Sequence, residues 1–304
     1  MLEIAVMIEG QRGLTWPRWQ RIASLVEDLG FTGLFRSDHF VASEPPEMES
    51  LELWTSLTWL ASHTKRIEFG PLVTPFSFRH PVHTARMAAA VDDLSNGRLV
   101  LGLGAGWNKC EHHIFGFDLL DMDARFRRYE EGLEVVTRLL QSDAPVVFEG
   151  QDYQLRGAIL LPRPQRPGGP RILVGGNGNR RTLSLVVRYA GEWNCVSLTP
   201  DEFLQKNRLL DTLLIQAGRE PTSVRRSMMT GCVFGRDDAA VKTKINIYGQ
   251  TLEELRQHGN VAGSIDTIRE QLQTLEQAGL QRIMLQWLDL DDLESLEVLA
   301  KNIL

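Results

Sequence analysis

Residues 96–104, NGRLVLGLG, decide the fold that we expect for this chain. Asn96-Gly97 is a typical turn, and the segment from Arg98 to Gly104 that follows it is almost continuously apolar. A strand has this composition when both of its faces are buried, as in a parallel sheet that is covered by helices. The segment RILVGG at residues 171–176 repeats the pattern. Both segments therefore predict strands of a buried parallel sheet.

The same alternation of strand and helix runs along the rest of the chain. The predicted strands are residues 2–8, 32–36, 66–73, 98–104, 171–175, 192–197, 225–234 and 281–286. The predicted helices are residues 15–29, 51–64, 81–94, 180–189, 201–217, 265–277 and 293–302, with further helical sequence from Asp237. Eight strands that alternate with helices predict an α/β fold, a (β/α)8 TIM barrel. An open doubly wound sheet is the alternative; the eightfold count and the lack of a mid-chain boundary favour the barrel.

The chain is longer than a bare barrel requires. A (β/α)8 barrel takes about 250 residues, whereas this chain has 304. We expect a single domain over residues 1–304, with insertion segments around residues 107–122 and 144–170. The second insertion is rich in proline, and we expect it to form a small hairpin arm.

Composition and charge exclude several classes of function. The chain has 33 Lys and Arg residues against 39 Asp and Glu residues, a formal net charge of −6, and no basic block. That balance disfavours nucleic acid as a partner. No apolar run reaches the ~18 residues of a membrane span, and the first residues do not resemble a signal peptide. The three cysteines are far apart and predict no disulfide framework. We therefore expect a cytoplasmic protein that contacts neither membrane nor nucleic acid.

Asp38 and His39 are the sharpest candidates for catalysis. They follow the second predicted strand, and the active site of a barrel lies at the carboxyl ends of its strands. Histidine titrates near neutral pH and serves as an acid or a base, and a neighbouring acid can orient it. We predict that both residues are catalytic. The alternative is that Asp38 caps a loop and His39 only packs.

Two glycine-rich segments reach the same end of the predicted barrel. GLGAGW at residues 102–107 is GxGxG and not GxGxxG, which argues against a Rossmann nucleotide site. Its glycines would instead let a flat ring lie close to the backbone. GGNGNRR at residues 175–181 follows a strand and opens a helix, so its amides together with Arg180 and Arg181 predict a phosphate site. A flexible turn with solvated arginines is the alternative.

The histidines do not predict a metal site. His80 and His83 begin a helix, and His112 and His113 lie in the first insertion. Neither pair has a third ligand at suitable spacing. We predict no metal ligand in this chain.

Five longer segments resemble the bacterial luciferase-like monooxygenase superfamily, and within it the coenzyme F420-dependent oxidoreductases. They are FRSDHF (35–40), IEFGPLVTPFSFRHP (67–81), AAVDDLSNGRLVLGLGAGWNKCEHHIFG (89–116), RFRRYEEGLEVV (125–136) and ILVGGNG (172–178). The resemblance implies a barrel that binds F420, or alternatively FMN, at its mouth. It also implies a small-molecule substrate and a homodimer.

The resemblance also implies roles for individual residues. Asp38 and His39 match the motif whose histidine sits against the deazaflavin in F420 enzymes. Leu72-Val73 matches a position where several relatives carry a non-prolyl cis peptide, which forms a bulge against the ring. The implied cofactor-binding residues are Asp38, Leu72, Val73, Thr74, Gly106, Trp107, Asn108, Gly175, Gly176, Asn177 and Gly178.

One departure from the family pattern bears on the substrate. Some F420 sugar-phosphate dehydrogenases carry a catalytic Glu where this chain has Trp107, which argues against the same substrate here. Glu111 lies four residues further on, and the sequence leaves its role open. We expect hydride transfer on bound F420, with His39 handling the substrate proton. Two alternatives stay open: a two-component FMN monooxygenase that uses O2 and reduced FMN from a partner reductase, and a barrel that binds a flavin without catalysis. A flavin or F420 reductase is the partner protein that the resemblance implies.

Overall fold

The structure is a computed structural model that describes the backbone of residues 1–304 and the side chains of all of them except residues 238 and 246–248. The strands are β1 (Glu3–Ile8), β2 (Gly33–Arg36), β3 (Glu68–Pro71), β4 (Thr74–Pro75), β5 (Val100–Gly104), β6 (Val146–Glu149), β7 (Gln154–Ala158), β8 (Arg171–Gly175), β9 (Glu192–Val196), β10 (Arg225–Phe234), β11 (Val261–Gly263) and β12 (Arg282–Gln286).

Helices follow most of these strands. They are α1 (Trp16–Leu29), α2 (Leu53–His63), α3 (Pro81–Leu94), α4 (Lys109–Phe115), α5 (Met122–Gln141), α6 (Arg181–Tyr189), α7 (Pro200–Gln216), α8 (Asp238–Tyr248), α9 (Leu252–Gln257), α10 (Ile265–Gln277) and α11 (Leu293–Ile303). Within the described part of the chain, no helix combines the length and the apolar character that crossing a membrane requires.

The main sheet closes on itself. Its order is β3-β2-β1-β12-β10-β9-β8-β5-β4, and β11 pairs with β10. A parallel bridge between Phe69 of β3 and Leu99, just before β5, joins the two ends. Since β3 and β4 are successive parts of the third strand, the ring has eight strand positions. The predicted (β/α)8 TIM barrel is confirmed.

Both faces of the barrel strands are buried, which explains their apolar sequences. Ala5 and Met7 of β1 belong to the cluster inside the barrel, together with Phe35 and Met284. The alternate residues of β1, among them Val6, belong to the larger cluster that includes the helices. Successive side chains of a strand point to opposite faces, so each strand contributes to both clusters.

Charged residues close the amino end of the barrel. Arg282, which is 1% exposed, lies 2.7 Å from a carboxylate oxygen of Glu3 and 3.4 Å from one of Glu192, and it also pairs with Glu68. A cavity of about 710 Å³ opens on this face. In (β/α)8 barrels this face serves stability, and catalysis takes place at the opposite end.

The third strand differs from the prediction. The expected continuous strand over residues 66–73 is wrong: β3 ends at Pro71 and the strand resumes at Thr74. The Leu72-Val73 peptide between them is cis, as the family resemblance implied for this position.

The two predicted insertion segments contain regular structure. Residues 107–122 hold α4, which the sequence analysis did not predict, and α5 begins at the last of them, Met122. In residues 144–170, β6 and β7 pair antiparallel as a hairpin. The 20-residue helix α5 was also missed.

Candidate functional site

A cavity of about 480 Å³ opens at the carboxyl ends of the barrel strands. Its size falls within the usual range of ligand pockets, about 300–1,000 Å³. It is lined by Met7, Glu9, Ser37, Asp38, His39, Leu72, Val73, Pro75, Phe78, Gly104, Ala105, Gly106, Trp107, Glu111, His112, Gly175, Gly176, Asn194, Val196, Met229 and Gln286. We refer to it below as the mouth cavity.

Most of the predicted site residues meet at the mouth cavity. The ones that line it are Asp38, His39, Leu72, Val73, Gly106, Trp107, Gly175 and Gly176. The other predicted residues are not among the lining residues; they are Thr74, Asn108, Asn177 and Gly178.

Val73 and neighbouring glycines shape the floor of the mouth cavity. A Cβ atom at Gly102 would lie 3.2 Å from Val73 Cγ1, and one at Gly175 would lie 3.3 Å from the same atom. A Cβ atom at Gly104 would collide with Val73 Cγ2. Gly106 has a φ of 83°, a conformation that favours glycine. The Val73 side chain thus occupies space that side chains at these glycines would fill.

His39 is paired with Glu111 of α4. Its Nδ1 atom lies 3.2 and 3.1 Å from the two carboxylate oxygens. One of these oxygens also accepts the Phe40 amide at 2.7 Å. Burial lowers the pKa of His39, but the hydrogen bond and charge of Glu111, together with the charges of Glu9 and Asp38, outweigh burial and the net shift is upward. Because Nδ1 is engaged, Nε2 is the ring nitrogen left for chemistry.

Asp38 has different partners from its neighbour. Its carboxylate accepts a hydrogen bond from the Thr74 hydroxyl at 2.6 Å and is held by both terminal nitrogens of Arg79. Burial raises the pKa of Asp38, and the Arg79 guanidinium and the Thr74 hydroxyl oppose that shift. Asp38 therefore does not orient His39, as the sequence suggested it could; Glu111 is the acid in contact with the imidazole.

Glu9, at the end of β1, adds a second carboxylate to the mouth cavity. It accepts hydrogen bonds from the amide groups of Gln286 at 2.6 Å and Gln11 at 2.7 Å. Gln11 in turn accepts the Ser37 hydroxyl at 2.7 Å. This network fixes the Glu9 carboxylate with neutral donors, so its negative charge stays available to the cavity.

The segment at residues 175–181 differs from its predicted arrangement. Asn177 donates to the Val196 carbonyl and accepts the Val196 amide, both at 2.8 Å, so its side chain secures β9. Arg181 pairs with Asp123 of α5 rather than with the segment itself. The cation that contacts the segment is Lys206 of α7, 2.8 Å from the Asn177 carbonyl.

An aromatic cluster lies at the rim of the mouth cavity, and Trp107 and Phe78 are its members that line the cavity itself. Trp107 is 64% exposed and meets the His39 ring edge-on, with 5.4 Å between ring centroids. Phe40 packs on Phe78 at 4.8 Å and on Phe115 at 5.1 Å. The rim is thus apolar beside the one histidine that faces the cavity with a partly exposed ring.

The sequence analysis missed several residues of the site. Gln286 ends the eighth strand, so the strand-end rule applied to the other strands would have found it. The sequence analysis named Glu111 and left its role open: its place three residues after Asn108, the N-cap of α4, indicates a helix start but not contact with His39. No sequence pattern indicated that Arg79 or Lys206 belongs to the site. Among the residues that the structure describes, no group of three or more His, Cys, Asp or Glu side chains could hold a metal ion.

Residues 3–298 match the family described as luciferase-like monooxygenase. The chain is 32% identical over 169 residues to an F420-dependent glucose-6-phosphate dehydrogenase of Amycolatopsis mediterranei (strain U-32), covering 54% of this chain and 47% of that protein. It is 30% identical over 187 residues to a 4-hydroxyprotoasukamycin monooxygenase of Streptomyces nodosus subsp. asukaensis, covering 62% of this chain and 48% of that protein. The chain thus spans about half the length of these curated relatives.

A solved structure shares the fold over its whole length. It is an F420-dependent secondary alcohol dehydrogenase in complex with an F420-acetone adduct, with a TM-score of 0.87 and 17% sequence identity. The match covers 99% of this chain and 98% of that one.

Proposed function

The chain belongs to the luciferase-like monooxygenase family, and we propose that it is an oxidoreductase that binds coenzyme F420 in the mouth cavity and acts on a small organic substrate. When bound, F420 would supply hydride transfer, a reaction that side chains alone do not perform. F420 is our first choice because one curated relative and one solved structure of the same fold are named as F420-dependent.

The observation that carries the proposal is the glycine-lined floor beside His39. Gly104, Gly106 and Gly175 present backbone to a cavity of about 480 Å³, a shape and size that suit a flat heterocycle. The first turn of α6 has no side-chain cap at Arg180, and Lys206 contacts the preceding loop. Uncapped amides and a cation suit the phosphate of such a cofactor. The residues present therefore fit the group.

The side chains around the cavity have separate roles in this proposal. His39 Nε2 accepts or donates the substrate proton, because Nδ1 is engaged by Glu111. Asp38, fixed by Thr74 and Arg79, lies ready to bind a polar group of the cofactor. Trp107 stands over His39 and excludes water from one side of the ring.

The charge of the mouth cavity narrows the substrate class. No lysine or arginine is among the lining residues that the structure describes, while Glu9 contributes a carboxylate. An anionic substrate would meet like charge without a counterion. This supports a substrate without a phosphate group, in line with the Trp107 departure from the sugar-phosphate enzymes.

A binding panel tests the proposal. We would titrate the purified protein with F420, FMN and NADPH and follow the absorbance and fluorescence of each. A Gly175→Val variant adds a side chain on the floor, and Ala90→Val makes a similar addition on the exposed face of α3. We expect saturable F420 binding that weakens at least about tenfold in Gly175→Val and stays unchanged in Ala90→Val.

Three results would change this view. Tighter binding of FMN than of F420 would replace the cofactor and favour a monooxygenase, in line with the second curated relative. Equal binding by wild type and Gly175→Val would move the site away from the mouth cavity. Tight binding without turnover of any reductant or acceptor would favour a barrel that binds a flavin without catalysis.

A further inference from the structure

We propose that Glu111 is the positioning residue of His39: it holds Nδ1 of the imidazole so that Nε2 handles the proton of the reaction. This role rests on the proposed function, whereas the contact itself is independent of any cofactor. His39 and Glu111 are 72 residues apart in sequence and come from different parts of the fold.

The Glu111 carboxylate is buried and fully occupied by the segment after β2. Glu111 is 0% exposed. A buried carboxylate is stable only when hydrogen bonds replace its hydration. Here the replacements are the His39 ring nitrogen at 3.1 Å and the Phe40 amide at 2.7 Å. Both donors belong to adjacent residues, so the carboxylate fixes that backbone and the imidazole at once.

The position of Glu111 is itself fixed at both ends of the first turn of α4. The Asn108 side chain accepts the Cys110 and Glu111 amides at 3.1 and 3.4 Å. His112 bridges the Asn108 carbonyl at 2.7 Å and the Ser77 hydroxyl at 2.8 Å. These contacts fasten the helix to the loop after β4 and hold the backbone of Glu111 in place, and the carboxylate is held by its own bonds to the His39 ring and the Phe40 amide.

The contact with Glu111 determines which imidazole nitrogen of His39 is basic. A carboxylate only accepts hydrogen bonds, so Nδ1 carries hydrogen and Nε2 holds the lone pair of the neutral ring. The charged groups that face the ring are Glu111 from α4, Glu9 at the end of β1, and Asp38, whose charge is offset by Arg79. Each carboxylate favours the imidazolium, with Glu111 the nearest.

A purely structural role for Glu111 would be to clamp α4 to the barrel. Glu111→Gln separates the two roles. The amide oxygen of Gln can still accept the Phe40 amide and fills the same volume, but it carries no charge. Its NH2 group also favours a lone pair on Nδ1, which reverses the tautomer of His39. Glu111→Asp keeps the negative charge on a side chain that is shorter by one methylene group.

Nuclear magnetic resonance of the protein without cofactor gives the direct test. The imidazole nitrogens of His39 would be identified by the signals missing in His39→Gln, and their shifts followed with pH. We expect wild type to carry the neutral-state proton on Nδ1. We expect Glu111→Gln to lower the titration midpoint and move that proton to Nε2. Glu131→Gln is the control, because Glu131 also accepts backbone amides but lies in the α5–arm contact.

Turnover supplies the second readout. With the cofactor that binds, Glu111→Gln should lower kcat about 10–100-fold. In the profile of kcat against pH, the part of the curve that reports the titration of His39 should move to lower pH. The affinity for the cofactor should be unchanged. A wild-type His39 with its proton on Nε2, or an unchanged midpoint in Glu111→Gln, would overturn the proposal. The first of these outcomes does not depend on the folding of Glu111→Gln. Failure of every cofactor to bind wild type would refute the proposed function instead, and the His39 titration would still decide the role of Glu111.

Discussion

Replacing Arg79 by Met tests the electrostatics of the mouth cavity. Met keeps most of the length of the side chain and removes the guanidinium from Asp38. The Asp38 side chain is 3% exposed and that of Arg79 is 16% exposed. The Thr74 hydroxyl remains as a donor to Asp38 at 2.6 Å, so the variant leaves a buried carboxylate with one neutral hydrogen bond.

The loss of unfolding free energy in Arg79→Met has an upper limit, and that limit depends on pH. Breaking a buried ion pair from one side costs about 3–5 kcal/mol. Asp38 can avoid the full loss because protonation makes its carboxyl group neutral. From its ordinary pKa of 3.8, protonation costs about 4.4 kcal/mol at pH 7 and about 1.6 kcal/mol at pH 5. We therefore expect a loss of unfolding free energy of about 3–4 kcal/mol at pH 7 that shrinks to at most about 1.6 kcal/mol at pH 5.

The sign of the pH dependence follows from proton binding. Burial already raises the pKa of Asp38 in the folded wild type, and loss of the Arg79 guanidinium raises the pKa further in Arg79→Met. Between these two pKa values the folded variant binds more protons than the folded wild type. The unfolding free energy of the variant, relative to wild type, then falls as pH rises. Loss of the Glu52 contact at 3.1 Å adds little, because that carboxylate is exposed.

Urea unfolding at pH 5, 6, 7 and 8, followed by tryptophan fluorescence, measures the effect. Arg86→Met is the matched control, because Arg86 is an exposed arginine on the same helix, α3. Asp38→Asn combined with Arg79→Met removes the titrating group and should flatten the pH dependence. A loss below about 1 kcal/mol at pH 7, or an equal loss at pH 5 and pH 7, would refute the reasoning.

Three further changes test other parts of the molecule. His39→Ala should lower turnover about 10²–10⁴-fold with unchanged cofactor affinity in a titration; unchanged turnover would remove its acid-base role. Gly104→Ala should lower the unfolding free energy by about 1–3 kcal/mol and weaken cofactor binding, since its Cβ collides with Val73; wild-type stability in urea would contradict the packing of the floor. Glu192→Gln should lower the unfolding free energy by only about 1 kcal/mol, because Arg282 keeps its ion pairs with Glu3 and Glu68; a loss of about 3 kcal/mol or more would count against this assignment.

Much of the fold was predictable because its signals are local. The bounds of β8, β10 and α3 agree with the predicted residues, since buried apolar runs and proline or glycine at their ends mark them. Helix α5 was missed although Asp121 caps it, with its carboxylate accepting two amides at 3.0 Å. The first half of that helix is strongly charged, and its buried residues begin only at Tyr129. A helix whose apolar stripe is confined to one half gives a weak periodic signal.

The site was predictable only as far as the strand ends determine it. The rule for barrels selected residues that do line the mouth cavity, including His39 and Val73. It could not select the partners of those residues. Asp38 and His39 are adjacent in sequence, yet neighbours in an extended segment point to opposite sides. Asp38 accordingly meets Thr74, while His39 meets Glu111. Which distant side chain reaches each of them depends on tertiary packing, and no local pattern encodes it.

The mouth cavity therefore has two parts with different physical origins. The floor of Val73 and the glycines is set by the register of the barrel strands, which the closed sheet makes rigid. The side that holds His39 depends on Glu111 and Trp107, which residues 107–122 supply. A change in that insertion alters the proton-handling side and leaves the floor intact, whereas a shift in strand register destroys both. Under the proposed function, the first insertion is thus the place where a change would alter the reaction or the substrate while the floor that binds the cofactor is kept.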